Sequence, residues 1–179
     1  TIFVNLIERG ASGVYNVSSA DVWVMDPVSR TTDVAYAMPS TALDKVRSVP
    51  GVEWAVPHIR AQASVRTRDG DLEGVAVIGV DDATLIGLPK RMIEGSTEVL
   101  SQPDSVIIDD VGTTRRFPGQ SPIGERLELN DQRAVIRGIA DAVPSFTSTV
   151  VLYTKYSQAL NFVPGTRNRL SFVLVGAQQ

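Results

Sequence analysis

Residues 52–80 read VEWAVPHIRAQASVRTRDGDLEGVAVIGV, and this stretch decides the fold because the turn signal Asp69-Gly70 joins two apolar strands. Counting outward from the turn predicts a hairpin with one apolar and one polar face. The apolar face is expected to pair Thr67 with Leu72, Val65 with Gly74, Ala63 with Ala76, Ala61 with Ile78, and Ile59 with Val80. The polar face is expected to pair Arg68 with Asp71 and Arg66 with Glu73.

Upstream of the hairpin, the sequence predicts a strand and then a short helix. Residues 20–27, ADVWVMDP, place a continuous apolar run before a proline, which indicates a central strand covered on both faces. Thr41 and Asp44 have capping-box spacing at the start of a helix that ends at Pro50-Gly51. The apolar stripe of this helix is Leu43, Val46 and Val49. The apolar residues then change from even positions (Val52, Trp54, Val56) to odd positions (from Ile59), which predicts a bulge or bend near Pro57-His58.

An insertion is predicted to hold one short strand at Val106–Ile108. The second half of the chain then repeats the earlier order of elements, with strands predicted at Val135–Ile139 and Val150–Tyr153 and a last strand at 169–176, RLSFVLVG. An Asn130-Asp131 turn is expected to place Glu128 opposite Arg133 and Leu127 opposite Ala134. Thr154 is expected to cap a helix that runs through Leu160.

Together these elements predict an α+β fold made of two split, porter-like βαβ units with a smaller β-rich lobe inserted between them. The expected divisions are a membrane-proximal helix end and connection at 1–19, a first half with the hairpin at 20–82, the inserted lobe at 83–132, and a second half at 133–179.

Composition excludes several classes of protein. The 179 residues are 43% hydrophobic and 21% charged, which is typical of a chain that buries a core. A net charge of -3 does not favour a nucleic-acid partner. The chain has no cysteine, and His58 is its only histidine, so thiolate nucleophiles, disulfides and two-histidine metal sites within one chain are excluded.

Candidate catalytic and metal-binding residues are few. His58 has no nucleophile-elbow motif to serve, and a lone histidine on a strand is more often packed into the structure than catalytic. Five aspartates follow predicted strands, where carboxylates serve either as metal ligands or as caps: Asp26, Asp81, Asp82, Asp109 and Asp110. No phosphate-binding glycine motif accompanies them. The sequence therefore predicts no catalytic residue, no metal site and no cofactor.

The order of these segments resembles a known family. The segments that carry the resemblance are SSADVWVMDP (18–27), ALDKVRSVPGVEWAVPHIRAQASV (42–65), VAVIGVDDATLIGLP (75–89), PDSVIIDD (103–110) and IGERLELNDQRAVIRGIAD (123–141). They resemble the MacB-like periplasmic core domain of ABC transporter permeases, and among these the DevC-like exporter permeases most closely. The resemblance covers nearly the whole chain, and its motifs are structural.

The resemblance implies a non-enzymatic domain on the periplasmic side of the cytoplasmic (inner) membrane, held between two membrane helices. Thr1–Arg9, TIFVNLIER, is then the exit of the first membrane helix, although the residues alone suit a short amphipathic helix equally well. The implied partners are a cytoplasmic ATP-binding subunit, a periplasmic adaptor (membrane-fusion) protein and a second permease copy. Residue type in the inserted lobe suggests partner-binding residues: Leu88, Met92, Arg115, Arg116 and Phe117.

Two other functions remain open at the level of sequence. An extracellular sensor or small-ligand-binding domain of a membrane receptor requires a deep pocket between the lobes. A metal-dependent hydrolase requires several of the five aspartates to converge.

Overall fold

The computed structural model describes residues 17, 20–29, 31–32, 36–66, 70–143 and 150–178. The strands are β1 (Val22–Met25), β2 (Met38–Pro39), β3 (Val52–Arg66), β4 (Leu72–Val80), β5 (Arg91–Glu94), β6 (Ser105–Asp109), β7 (Arg126–Leu129), β8 (Gln132–Asp141), β9 (Val150–Lys155), β10 (Arg169–Leu170) and β11 (Phe172–Ala177). The helices are α1 (Ala42–Arg47), α2 (Asp110–Arg116) and α3 (Tyr156–Phe162), with 3₁₀ turns at Thr97–Ser101 and Pro164–Thr166. The helix expected at Thr1–Arg9 lies outside the described residues.

Nine of the described strands form one sheet in the order β1-β11-β3-β4-β9-β6-β8-β5, with β7 paired to β3 and β8. Strand β11 is antiparallel to both β1 and β3, so β1-α1-β3 is a βαβ unit with β11 inserted between its strands. Strands β9 and β11 are also parallel, with β4 and β3 between them, and α3 connects them. The predicted α+β fold with two split βαβ units is confirmed.

Residues 83–132, the predicted inserted lobe, contribute β5, β6 and β7 to this same sheet. Strand β6 lies between β9, to which it is antiparallel, and β8, to which it is parallel. The expected division into four parts stays a prediction, and these pairings show how closely the third part is joined to the fourth.

Strand β3 is the longest element and joins two parts of the sheet. Its residues 52–58 pair with β11, and its residues 59–66 pair with β4. The bulge expected as one possibility at Pro57-His58 does not form, because the register is regular there and shifts instead opposite Gly176 and Ala177. The first half of β3 is packed on both faces, since Ala55 belongs to one core cluster and Val56 to another. Apolar residues are therefore accommodated at both even and odd positions, and their change of position along the strand requires no irregularity.

The predicted β3–β4 hairpin forms, but its predicted register is wrong by one residue. Ile59 pairs with Gly79, Ala63 with Val75 and Arg66 with Leu72, which is the last described pair before the connection. Residues 75–80 of β4 are all buried. A strand that is covered on both faces accepts either register, so its apolar pattern does not determine the pairing. The Arg68–Asp71 pair expected at the turn includes a residue outside the described ones.

The β7–β8 hairpin confirms the second predicted turn. Glu128 pairs with Arg133 and Leu127 with Ala134. Asn130 and Asp131 have φ angles of 45° and 63°, and two consecutive left-handed residues are what a type I′ turn requires.

Strand β1 forms as predicted but is not central. It pairs only with β11 and lies at one end of the sheet. Val24 packs against the cluster under α1, whereas Trp23 and Met25 pack against the opposite cluster. The run is therefore partly covered on both faces, as expected, while one hydrogen-bonding edge has no strand partner among the described elements.

Two predicted helix caps are wrong. Thr41 has helical backbone angles, and its side chain makes no capping hydrogen bond to α1. Thr154 lies in β9, where its hydroxyl donates to the Ser105 carbonyl at 2.8 Å, so α3 begins two residues later. In the predicted stripe of α1, Leu43 and Val46 pack on the core and Val49 is exposed.

The core lies on both faces of the sheet. The clusters that contain residues of α1 and α3 share the side chain of Tyr156, which places these helices on one face. Segments around Leu88 and Leu100 cover the other face. Among the described helices, none combines the length and the hydropathy that crossing a membrane requires.

Candidate functional site

A small cavity, lined by apolar residues and a few polar side chains, lies where two core clusters meet on the face of the sheet opposite α1 and α3. Its volume is about 20 Å³, which suits a water molecule and is far below the size of a metabolite site. The polar side chains that line it among the described residues are Thr32, His58, Arg60, Asp109 and Tyr153.

His58 is packed into the structure, as expected for a lone strand histidine. It is 3% exposed, and its ring lies 5.3 Å from that of Trp23 and 5.7 Å from that of Phe172. Burial, together with the nearby positive charge of Arg60, lowers the pKa of His58 to about 3. The imidazole is therefore neutral at physiological pH, and one of its nitrogens is an acceptor.

Asp109 joins three elements of the second half. Its Oδ1 accepts the N–H of Gly112 at 3.2 Å, which caps α2, and the N–H of Val151 at 3.0 Å, which ties β6 to β9. Burial raises its pKa to about 6, while these two backbone N–H groups oppose the rise and the charge of Asp110 adds to it. Burial also raises the pKa of the neighbouring Tyr153.

The other four candidate aspartates also accept backbone N–H groups. Asp26 accepts from Val28 at 2.9 Å, Asp81 from Thr84 at 2.9 Å, Asp82 from Ser157 at 3.0 Å and Asp110 from Ala142 at 3.3 Å. Asp82 thereby stabilises the first turn of α3 from a distant loop. Among the described residues, no group of three or more histidine, cysteine, aspartate or glutamate side chains is arranged to hold a metal ion.

The five residues predicted to bind a partner do not lie on one surface. Leu88 is 6% exposed and belongs to a core cluster, and Met92 packs partly against the same cluster. Because its side chain is buried, Leu88 offers almost no surface to a partner.

Arg115, Arg116 and Phe117 lie together at the end of α2 and line an open groove with β3, β4 and β7. Arg116 is 11% exposed and forms an ion pair with Glu73 at 2.6 Å, while Phe117 packs against the core. Arg115 is exposed. Glu73 was expected to pair with Arg66, but in the structure Arg66 pairs with Glu128 at 3.1 Å.

Some members of the cavity were not singled out in the sequence. Arg60 lies between Ile59 and Ala61 in β3, and Tyr153 follows Leu152 in β9. A polar side chain within a mostly apolar, buried strand is the sequence signal that could have identified both residues. The tie between Asp21 and Ala177, at 3.0 Å, has no sequence signal, because it joins residues 156 positions apart.

Comparison with known proteins gives the family. The model of the MacB-like periplasmic core domain matches residues 3–179. The chain belongs to the MacB-like periplasmic core domain family. The resemblance inferred from the sequence is therefore confirmed: this is the periplasmic core domain of a MacB-like ABC transporter permease, a domain that lies outside the cytoplasm.

Two solved structures share the fold. The extracellular domain of the noncanonic ABC-type transporter YknZ from Gram-positive bacteria has 18% sequence identity and a TM-score of 0.60, and the alignment covers 80% of this chain and 74% of that one. The periplasmic region of MacB from Actinobacillus actinomycetemcomitans has 16% identity and a TM-score of 0.58, over 84% of this chain and 69% of that one. No curated protein matches the chain in sequence.

Proposed function

We propose that this domain couples ATP hydrolysis in the cytoplasm to the engagement of an adaptor protein or a substrate during export, and that it does so without catalysing a reaction itself. Membership of the MacB-like family carries the proposal. The permease is proposed to be DevC-like and to lie in the cytoplasmic membrane, with this domain on the periplasmic side. Its proposed partners are an ATP-binding subunit, a periplasmic adaptor and a second permease copy.

The positions of the first and last described strands support a tethered domain. The Asp21 carboxylate accepts the N–H of Ala177 at 3.0 Å, and the N–H of Gln178 donates to the carbonyl of Gly51 at 3.0 Å. The start of β1 and the end of β11 are therefore adjacent. Two membrane segments attached here would move one edge of the sheet together.

Strand β3 supplies a stiff path from that edge to the opposite end of the domain. Its first half pairs with β11, and its last two residues, Val65 and Arg66, pair with β7 as well as with β4. A continuous strand of 15 residues is about 50 Å long at its usual rise. A displacement of β11 is thus expected to move the β3–β4 hairpin as part of one rigid body.

The groove beside α2 is the proposed partner-binding surface. Arg115 offers an exposed positive charge there, and Phe117 and Leu127 contribute apolar surface. Charged residues at the rim and apolar residues beneath them are typical of protein interfaces. Leu88 and Met92 pack in or against the core, and their proposed contribution to partner binding is indirect, through the stability of the domain.

Spin labels test this coupling in the full-length permease assembled with its ATPase partner in a bilayer. Leu72 is exposed beside the hairpin connection, and the 179 residues contain no cysteine, so Leu72→Cys adds the only label within this domain, with cysteines elsewhere in the transporter replaced beforehand. We expect the distance between the labels of two copies to change between the nucleotide-free and vanadate-trapped states. An internal pair, Leu72→Cys with Val22→Cys, is the rigid-body control and should not change.

An intermolecular distance that is the same in both nucleotide states would contradict the coupling. A change in the internal pair of equal size would contradict the rigid-body mechanism. The cavity around His58 and Asp109 is too small for a small-ligand sensor site, because its volume is that of a water molecule.

A further inference from the structure

The buried cavity contains polar atoms that the surrounding protein does not satisfy. His58 Nδ1 and Thr32 Oγ1 are buried and have no hydrogen-bond partner, and both residues line the cavity. Buried polar atoms are rarely left without a partner, and a cavity of about 20 Å³ that such atoms line has room for a water molecule. The cavity is therefore suited to hydrogen-bonded water that links these side chains.

Asp109, the last residue of β6, also lines this cavity. Both of its backbone contacts, from Gly112 and Val151, fall on Oδ1. A proton placed on Oδ2 would leave Oδ1 as a carbonyl acceptor for the same two N–H groups. The carboxyl group can therefore become neutral without losing its cap of α2 or its tie to β9.

We propose that Asp109 is a proton-binding site, and that its protonated carboxyl group donates into the cavity and is linked by water to the free acceptor of His58. The proton changes a buried carboxylate into a donor, and His58 supplies the acceptor that the cavity otherwise leaves unused. One proton then connects β6 and α2 to β3, the strand that spans the sheet.

The pairing between β6 and β9, where this connection forms, is short. Strands β6 and β9 share two residue pairs, Ile107 with Tyr153 and Ile108 with Leu152. The contact from Val151 to Asp109 extends this pairing by one hydrogen bond. A change in the protonation of Asp109 therefore acts on a narrow joint between two parts of the sheet.

Burial and the negative charge of Asp110 favour the protonated form of Asp109, whereas Arg60 is a positive charge that lines the same cavity. Among the described residues, the titratable groups that face it are Asp110 on α2, Tyr153 on β9, and His58 and Arg60 on β3. Burial raises the pKa of Asp109 from 3.8 to about 6, whereas burial lowers that of His58 to about 3. His58 thus stays a neutral acceptor over the range in which Asp109 takes up its proton.

The sign of the pH effect follows from the direction of the shift. A carboxyl group whose pKa is higher in the folded than in the unfolded state stabilises the fold most at low pH, and that contribution is lost as the pH rises through the folded pKa. The contribution of Asp109 is therefore full below about pH 4 and lost above about pH 6. From this group alone, the unfolding equilibrium constant is expected to rise about 100-fold across that range.

Nuclear magnetic resonance tests the proposal on the intact chain. Since His58 is the only histidine, ¹⁵N-histidine labelling gives signals from one ring, and ¹³C labelling of aspartate carboxyl groups follows Asp109 directly. We expect the Asp109 carboxyl to titrate near pH 6, and the His58 ring nitrogens to shift with the same midpoint while remaining in the neutral range. Asp109→Asn should abolish the His58 shift, and Asp26→Asn, which removes a carboxylate outside the cavity, should not.

Two results would overturn the proposal. One is an Asp109 carboxyl that titrates below about pH 4.5, where exposed aspartates do. The other is a His58 signal that does not respond while Asp109 titrates, which would separate the proton from the cavity. Both measurements are made on the wild-type chain, so they remain decisive if Asp109→Asn does not fold.

Discussion

The carboxylate of Asp21 accepts a hydrogen bond from the backbone N–H of Ala177 at 3.0 Å, which ties the residue before β1 to the last residue of β11. The two strands are antiparallel neighbours, with Val22 opposite Val175. This tie closes the end of the sheet at which a membrane-tethered domain would receive force. It also gives the most direct mutational test of that edge.

We expect Asp21→Ala to lower the free energy of unfolding by about 1 kcal/mol, because it removes one hydrogen bond to a charged acceptor at an exposed position. Asp21→Asn keeps a side-chain oxygen that can accept the same N–H, so it should retain most of the stability. Urea denaturation measures both. Equal losses in the two variants would show that the charge, and not the hydrogen bond, stabilises this edge.

Gly112 is expected to be intolerant of any side chain. A Cβ atom at this position would lie 2.5 Å from Asp109 Oδ1 and 2.6 Å from Val150 Cγ1. Gly112→Ala must therefore displace either the α2 cap or β9, and we expect it to cost about 3 kcal/mol. Thermal and denaturant unfolding of the variant measure this cost.

Gly74 provides the matched control. It lies in β4, a Cβ atom added to it would meet no other atom within 4 Å, and its φ angle is not in the left-handed region. Gly74→Ala should leave stability unchanged or raise it by about 0.5 kcal/mol, because it restricts the unfolded chain. A Gly112→Ala protein as stable as Gly74→Ala would contradict the close packing around Asp109.

The ion pair between Arg116 and Glu73 joins the end of α2 to β4 at 2.6 Å. Because Arg116 is 11% exposed, its aliphatic stem also packs, so Arg116→Ala should cost about 1–2 kcal/mol. Arg116→Met keeps most of that packing and should recover part of the loss. Urea denaturation of each variant gives these values.

A more exposed ion pair is the comparison for Arg116. Arg133 is 63% exposed and pairs with Asp104 at 2.7 Å. Arg133→Ala should cost less than about 0.5 kcal/mol, since surface ion pairs are weak and screened by salt. If Arg133→Ala proved as costly as Arg116→Ala, the greater burial of Arg116 would not add to the stability that its ion pair provides.

The hairpins show how far the sequence predicts this fold. The β7–β8 register was predictable because Asn130 and Asp131 tolerate left-handed backbone angles and so define a two-residue turn. The β3–β4 register was not, because β4 is buried on both faces and its pattern is the same for either pairing. Strand β1 was misplaced for a related reason: apolar periodicity reports which faces are covered but not which edges are paired.

The candidate site was less predictable than the fold. The sequence correctly favoured capping for aspartates after strands, as the Asp109 contact with Gly112 shows. The cavity depends on packing between strands far apart in the chain, which brings Thr32, His58 and Tyr153 together. No local pattern encodes such a convergence, and the sequence therefore did not reveal it.

The partner-binding prediction separates into two classes of residue, which a single experiment distinguishes. Leu88→Ala removes a side chain that is 6% exposed, so we expect it to cost about 2–5 kcal/mol of stability. Arg115→Glu reverses an exposed charge at the groove beside α2 and should leave the melting temperature within a few degrees of wild type.

Binding of the full-length permease to its adaptor should show the reverse order. Arg115→Glu is expected to weaken binding, and more strongly at low than at high salt, because exposed charges act over a Debye length of about 10 Å at 0.1 M ionic strength. Leu88→Ala should weaken binding only in proportion to the fraction unfolded at the assay temperature. If Arg115→Glu bound the adaptor with unchanged affinity at low salt, the groove would not be the contact surface, whereas the family assignment would stand.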